Sequence, residues 1–187
     1  MQAVGYNLYC KMLNEAVLRL RGGKNVEDDD FETVADIQTD AFIPDSYIKN
    51  EALKLDIYRR IAAVENKEEQ EDMLEELIDR FGDPPTAVMN LLEITLLRGL
   101  AHSLYITEVK ARPDMITFTM YEKAKIRVDK IPELLEQMGG NMMFRHAEPA
   151  QFICRLQGGR RRFSGTILEI TREVLEEMCV LREEEEK

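Results

Sequence analysis

The side chains able to do covalent chemistry are few and scattered. The two histidines, His102 and His146, have no nucleophile or acid beside them in sequence, and the three cysteines, Cys10, Cys154 and Cys179, lie far apart. A thiolate–imidazole pair would need one histidine within hydrogen-bond reach of Cys154, which sequence separation does not supply. No zinc spacing, phosphate-binding glycine loop, HExxH or GxSxG motif is present. The chain is therefore read as holding no catalytic residue, no metal site and no cofactor. An odd, dispersed cysteine set fits reduced thiols in a cytoplasmic protein.

Charge chemistry is better represented. Asp28, Asp29 and Asp30 could attract a divalent cation, but a flexible triple acid lacks a fixed oxygen cage, and a solvated linker is the simpler reading. Gly158-Gly159-Arg160-Arg161-Arg162 precedes a helical pattern. Free N–H groups and the guanidiniums of Arg160, Arg161 and Arg162 would suit an anion, including a nucleic-acid phosphate. The competing reading is a basic turn that pairs with acids of its own domain. The third set is Asp72, Glu75, Glu76, Asp79 and Arg80, which share the polar side of one helical pattern.

That helix is the middle one of three predicted between Glu51 and Leu104. Met73, Leu74, Leu77, Ile78 and Phe81 form its apolar stripe at i, i+1, i+4, i+5 and i+8. Gly82 is placed to end it, with Asp83 capping the next helix and Pro84 at that helix's first position. The preceding helix buries Leu53, Ile57, Ile61 and Val64, with Lys54, Arg59 and Arg60 pointing outward. The following one, about Pro84 to Ser103, is apolar nearly all round and suits burial between layers.

Elsewhere the pattern changes. Tyr6 to Leu20 is an amphipathic helix ended by Gly22-Gly23, and an acidic linker follows it. Thr33 to Ile37 is β-prone. After Leu104 the period becomes 2, predicting strands over 105–111, 116–120, 125–128, 142–145 and 151–156. A short helix spans Pro132 to Met138, and a closing helix is capped near Ser164. The expected fold class is α+β: a helical half packed on a small, mainly antiparallel sheet, with a closing C-terminal helix and a detached N-terminal helix. The expected domains are 1–22 as that helix, 23–31 as linker, 32–182 as the main domain and 183–187 as an acidic tail.

Composition narrows the function classes. The net charge is −11, but the runs Glu27–Asp30 and Glu183–Glu186 supply eight of the negatives, leaving −3 elsewhere. Strong general nucleic-acid binding by the whole chain is not expected. Nothing approaches the roughly 18 apolar residues of a spanning helix, and the N-terminus shows no secretory pattern.

Three strings carry a family resemblance. Val4-Gly5-Tyr6-Asn7-Leu8-Tyr9-Cys10-Lys11-Met12-Leu13-Asn14-Glu15-Ala16-Val17 resembles the end of the helicase portion of bacterial transcription-repair coupling factors. Asp40-Ala41-Phe42-Ile43-Pro44-Asp45-Ser46-Tyr47-Ile48 and Leu55-Asp56-Ile57-Tyr58-Arg59-Arg60-Ile61-Ala62 look like that family's C-terminal domain. So does Glu76-Leu77-Ile78-Asp79-Arg80-Phe81-Gly82.

The resemblance implies a fragment of an ATP-driven DNA translocase that displaces stalled RNA polymerase and recruits the excision-repair protein UvrA. None of the motor motifs, nor the modules that bind RNA polymerase and UvrA, lies in these residues. In the family, the C-terminal domain docks on the N-terminal UvrB-like module and covers the surface UvrA needs. Its contact residues fall here on Glu76, Asp79 and Arg80, with Asp72 and Glu75 beside them. RNA polymerase and DNA would be met through other parts of the parent, and UvrA indirectly. The segment Tyr6 to Leu20 would normally pack on the translocase domain, and detached from it offers a surface for self-association. No membrane partner is implied.

Overall fold

A computed structural model describes residues 31–183; the predicted N-terminal helix, most of the linker and most of the acidic tail lie outside the described residues. The described residues contain five α-helices and a five-stranded sheet, an α+β fold as predicted. They fall into two compact units. One runs from Asp40 to Leu96, and the other joins Phe31–Thr39 to the residues from Leu97 onward.

The helical unit is organised by its turns. α1 (Glu51–Ala63) starts where the Asn50 side chain accepts from the Leu53 N–H at 3.0 Å. α2 (Lys67–Phe81) starts on Asn66, whose side chain accepts from the Glu69 N–H at 3.0 Å, while Glu69 accepts in return from the Glu65 N–H at 2.8 Å. These contacts satisfy N–H groups that a helix start leaves unpaired. α2 ends at Gly82, whose φ of 80° is costly for a residue with a Cβ.

α3 (Thr86–Ser103) begins two residues later than predicted. Pro85 disfavours the helical region for Pro84 before it, so Asp83 does not cap the helix. Instead the Pro85 carbonyl accepts from the Val88 N–H at 2.9 Å. Ile57, Leu77, Val88 and Leu92 are fully buried and form the centre of this unit's core.

In the other unit, β1 (Val34–Ile37) pairs parallel with β2 (Ile106–Ala111). β3 (Met115–Met120), β5 (Gln151–Arg155) and β4 (Met142–Arg145) continue it antiparallel, giving the order β1-β2-β3-β5-β4. The registers Val109–Phe118–Phe152–Phe144 and Ala111–Ile116–Cys154–Met142 put an apolar row across one face. Phe118, Phe152, Ile116 and Cys154 on that face are fully buried. α4 (Ile131–Gln137) and α5 (Ile167–Met178) add Leu134, Val174, Leu175 and Met178 to the unit's core.

Two predicted boundaries move. Residues 125–128 form no sheet strand. Ile126 makes an isolated bridge to Arg182 and the Arg127 N–H donates to the Leu181 carbonyl, so this segment pairs with the turn after α5. α5 is capped by Thr166 rather than Ser164, in a reciprocal box with Glu169.

Candidate functional site

The α2 face is the first of the predicted sites, and the helix explains its layout. Met73 and Leu77 are buried at 5% and 0% exposure, anchoring one side of α2. Asp72, Glu75 and Asp79, spaced i, i+3 and i+7, are exposed on another. Ile78, expected in the core stripe, is instead 41% exposed. The core takes the Met73–Leu77 column of the helix, while in the adjacent column Leu74 is half-buried and Ile78 is exposed. This charged face thus has an apolar side chain on its flank.

Glu76 is the centre of the cluster. The Arg60 guanidinium, in the last turn of α1, donates from both Nη atoms to the two Glu76 carboxylate oxygens. Arg80 Nη1 donates to Glu76 Oε1 at 2.6 Å. Beside Arg60 first and Arg80 second, the Glu76 carboxyl is held down to about 2 from an ordinary 4.5. The Arg80 guanidinium also lies 5.1 Å from the centre of the Phe81 ring. Among the described residues, Asp72, Glu75 and Asp79 have no ion-pair partner.

Two residues that serve this face escape a reading of α2 alone. The α1 pattern points Arg60 outward, and its partner lies 16 residues on. The available signal was the three-residue connection between α1 and α2, which makes them neighbours. Tyr47 is the second. Its hydroxyl donates to the Leu77 carbonyl at 3.2 Å and the Gly82 carbonyl at 2.9 Å, and its ring meets Phe81 edge-on at 5.8 Å. It therefore satisfies the Gly82 carbonyl that the end of α2 leaves open and adds a second contact to the Leu77 carbonyl inside the last turn. Lys54 also departs from expectation: it is buried and donates to Asp45 and Glu51, so its charge is neutralised within the unit.

The arginine turn divides. Arg161 Nη2 donates to Glu173 at 2.5 Å and to Glu177 at 2.9 Å, both on α5. Its backbone is held as well, because Asn141 accepts from the Arg161 N–H at 3.0 Å and donates to its carbonyl. Arg160 and Arg162 are exposed. The turn also precedes the α5 start, where Thr166 accepts from the Glu169 N–H at 3.3 Å.

The histidines and Cys154 are not assembled into a catalytic pair. Cys154 is fully buried opposite Met142 and Ile116, and burial pushes its thiol up to about 12. His146 is exposed just past β4, and the Phe144 ring lies 6.5 Å from it. The His102 ring stacks on Phe31 at 4.4 Å, with Nδ1 3.1 Å from the Thr33 hydroxyl. Among the described residues, no group of three or more His, Cys, Asp or Glu side chains could hold a metal ion. No described helix is long and apolar enough to cross a membrane.

The fold and this surface define a class: an α+β domain of a three-helix unit and a mixed five-stranded sheet unit, with a charged helix face as its candidate site. A family model for the TRCF domain matches residues 37–131, which include all of α1, α2 and α3. A transcription-repair-coupling factor of Staphylococcus haemolyticus is 36% identical over 147 residues, covering 79% of this chain and 12% of that protein. The Bacillus subtilis protein of the same name is 34% identical over 139 residues, covering 73% of this chain and 12% of its own length.

Among solved structures, a crystal structure of the C-terminal domain of transcription-repair coupling factor aligns with a TM-score of 0.58 and 27% identity. It covers 79% of this chain and 94% of that one. The chain belongs to the TRCF domain family, the C-terminal domain of transcription-repair coupling factors. It spans about an eighth of the length of the curated relatives it matches.

Proposed function

We propose that this domain is a regulatory lid. It docks through the α2 face on the N-terminal UvrB-like module of its parent and masks the surface that UvrA uses. The parent would be an ATP-dependent DNA translocase that displaces stalled RNA polymerase and hands the lesion to excision repair. The observation that carries the reading is the cluster of half-buried Glu76 with exposed Asp79 and Arg80, flanked by Asp72, Glu75 and Ile78, on a helix whose core anchors leave it outward.

The physical mechanism is masking by a mostly polar contact. Exposed charged groups lose hydration on docking, so their net contribution is small and the lid releases readily. Reversible control needs a coupling of only about 1–3 kcal/mol. Asp79, Glu75 and Asp72 would meet basic side chains of the module, and Arg80 an acid. Arg161 is already held by Glu173 and Glu177, so a nucleic-acid role for the arginine turn would rest on Arg160 and Arg162.

The test is a calorimetric titration of the 187-residue chain against the separately made UvrB-like module at two salt concentrations. The variant Glu76→Ala/Asp79→Ala/Arg80→Ala runs alongside. Binding that weakens with salt and disappears in the folded variant is expected. Equal binding by the variant would remove the α2 face from the mechanism.

A further inference from the structure

We propose that Arg60 is a positioning residue of the docking face: from the last turn of α1 it holds Glu76, and through that carboxylate Arg80, in the orientation the partner module meets. The inference rests on the docking reading above and adds a residue from outside the α2 motif.

Geometry carries it. Arg60 reaches both carboxylate oxygens of Glu76 with a planar fork, and Arg80 shares one of those oxygens. A carboxylate offers about four acceptor positions. Three are filled inside the domain, and the fork fixes the direction of the one that remains. The Arg60 and Arg80 side chains are 42% and 40% exposed, and that of Glu76 is 28% exposed, so the cluster lies open to a partner.

A long side chain gives up rotamer freedom when it is fixed. Arg60 has already fixed Glu76 in the free domain, so less freedom is lost on docking. The sign of the surface follows from the same bonds. Two guanidiniums around one carboxylate leave these three side chains at +1, with the Asp56 charge acting on Arg60 from one turn back on α1. On this face Asp72, Glu75 and Asp79 have no ion-pair partner among the described residues. The face therefore presents a guanidinium edge beside an acidic strip, and Arg60 fixes the boundary between them. A lysine in its place could not span both oxygens.

A double-mutant cycle tests this, using the 187-residue chain and the UvrB-like module in calorimetry. Arg60→Gln should weaken binding about tenfold, the equivalent of about 1.4 kcal/mol. Glu76→Gln should weaken it at least as much. The double variant should bind no more weakly than Glu76→Gln alone, because Arg60 acts through that carboxylate. Arg60→Lys should recover only part of the affinity. In the free Arg60→Gln chain, the NMR titration of the Glu76 carboxyl should move up from about 2 toward its ordinary range.

Additive losses would mean that Arg60 touches the partner itself, and would overturn the positioning role. So would an Arg60→Gln chain that binds within twofold of the unmodified one. If Arg60→Gln does not fold, Arg60→Lys with unchanged affinity overturns the proposal in the same way. Failure of the unmodified chain to bind at all removes the docking reading, and this inference with it.

Discussion

Two charged clusters, one in each unit, are built as opposites. In the helical unit one carboxylate, Glu76, sits between two guanidiniums, Arg60 and Arg80. In the sheet unit one guanidinium, Arg161, sits between two carboxylates, Glu173 and Glu177. The chemistry of the pairs is the same, yet the surroundings give them different work. The Arg161 backbone is clamped by Asn141, itself 2% exposed, whose amide also donates to the Arg155 carbonyl at 2.9 Å. Gly159 lies so close that a Cβ there would meet the Asn141 oxygen at 1.9 Å. Glu76 has no such backing; it joins two helices through side chains alone, beside acids left open to solvent. A charge cluster tied to buried backbone holds a fold together, and one tied only to neighbouring side chains is free to meet a partner.

Among the charged clusters, the largest expected effect tests the clamped one. Asn141→Ala removes the partner of the Arg155 carbonyl and of both Arg161 backbone groups. Leaving such groups unsatisfied costs about 1–3 kcal/mol each, so a loss of about 3 kcal/mol in urea unfolding is expected. Docking measured where the variant is folded should be unchanged. A docking loss as large as that of Glu76→Gln would erase the contrast between the clusters.

Arg161→Met comes next. Its ion pairs are partly buried, with the Arg161 side chain 23% exposed, and the methionine retains the apolar stem. A destabilisation of about 1–2 kcal/mol is expected, screened only weakly by salt. If the effect vanished in 0.5 M salt (on the order of a 4–5 Å screening length), Arg161 would be an ordinary surface charge.

The open cluster predicts a pH signature. The folded-state pKa of Glu76 is depressed, so its contribution to stability is present above about 4.5 and is lost as pH falls toward about 2. For pairs this exposed the contribution is about 1 kcal/mol. The stability gap between the unmodified chain and Glu76→Gln should therefore close between pH 4.5 and 2, as followed by thermal unfolding. A gap that stayed constant across that window would mean that Arg60 and Arg80 do not hold the carboxylate in solution.

How much of this was legible in the sequence differs between the clusters for a physical reason. The period of α2, its stop at Gly82 and the polar side bearing Glu76, Asp79 and Arg80 are local, and local spacing specifies them. The Arg60–Glu76 fork and the Asn141–Arg161 clamp join residues 16 and 20 positions apart, and depend on how elements fold back on one another. Strand order has the same character, since β5 lies between β3 and β4. The arginine run could be read as an anion site or as a basic turn with acids of its own domain; for Arg161 the paired acids are Glu173 and Glu177 of α5, which no local spacing names.

Ile78 shows a finer limit, and gives the smallest effect on stability. Its spacing put it in the same stripe as Leu77, but periodicity defines the width of an apolar stripe and not which of two adjacent columns the core accepts. Leu77 at 0% exposure and Ile78 at 41% resolve that choice. Leu77→Ala should cost about 2–5 kcal/mol, as deletion of a buried side chain does, whereas Ile78→Asn should fall within about 0.5 kcal/mol of the parent chain. On docking the order reverses: Ile78→Asn removes apolar surface beside Asp79 and Glu75 and should weaken binding several-fold. An Ile78→Asn chain that binds as tightly as the original would confine the docking face to its charges. A several-fold loss with unchanged stability would extend that face to the apolar flank of α2, where a lid gains adhesion without adding a charge for salt to screen.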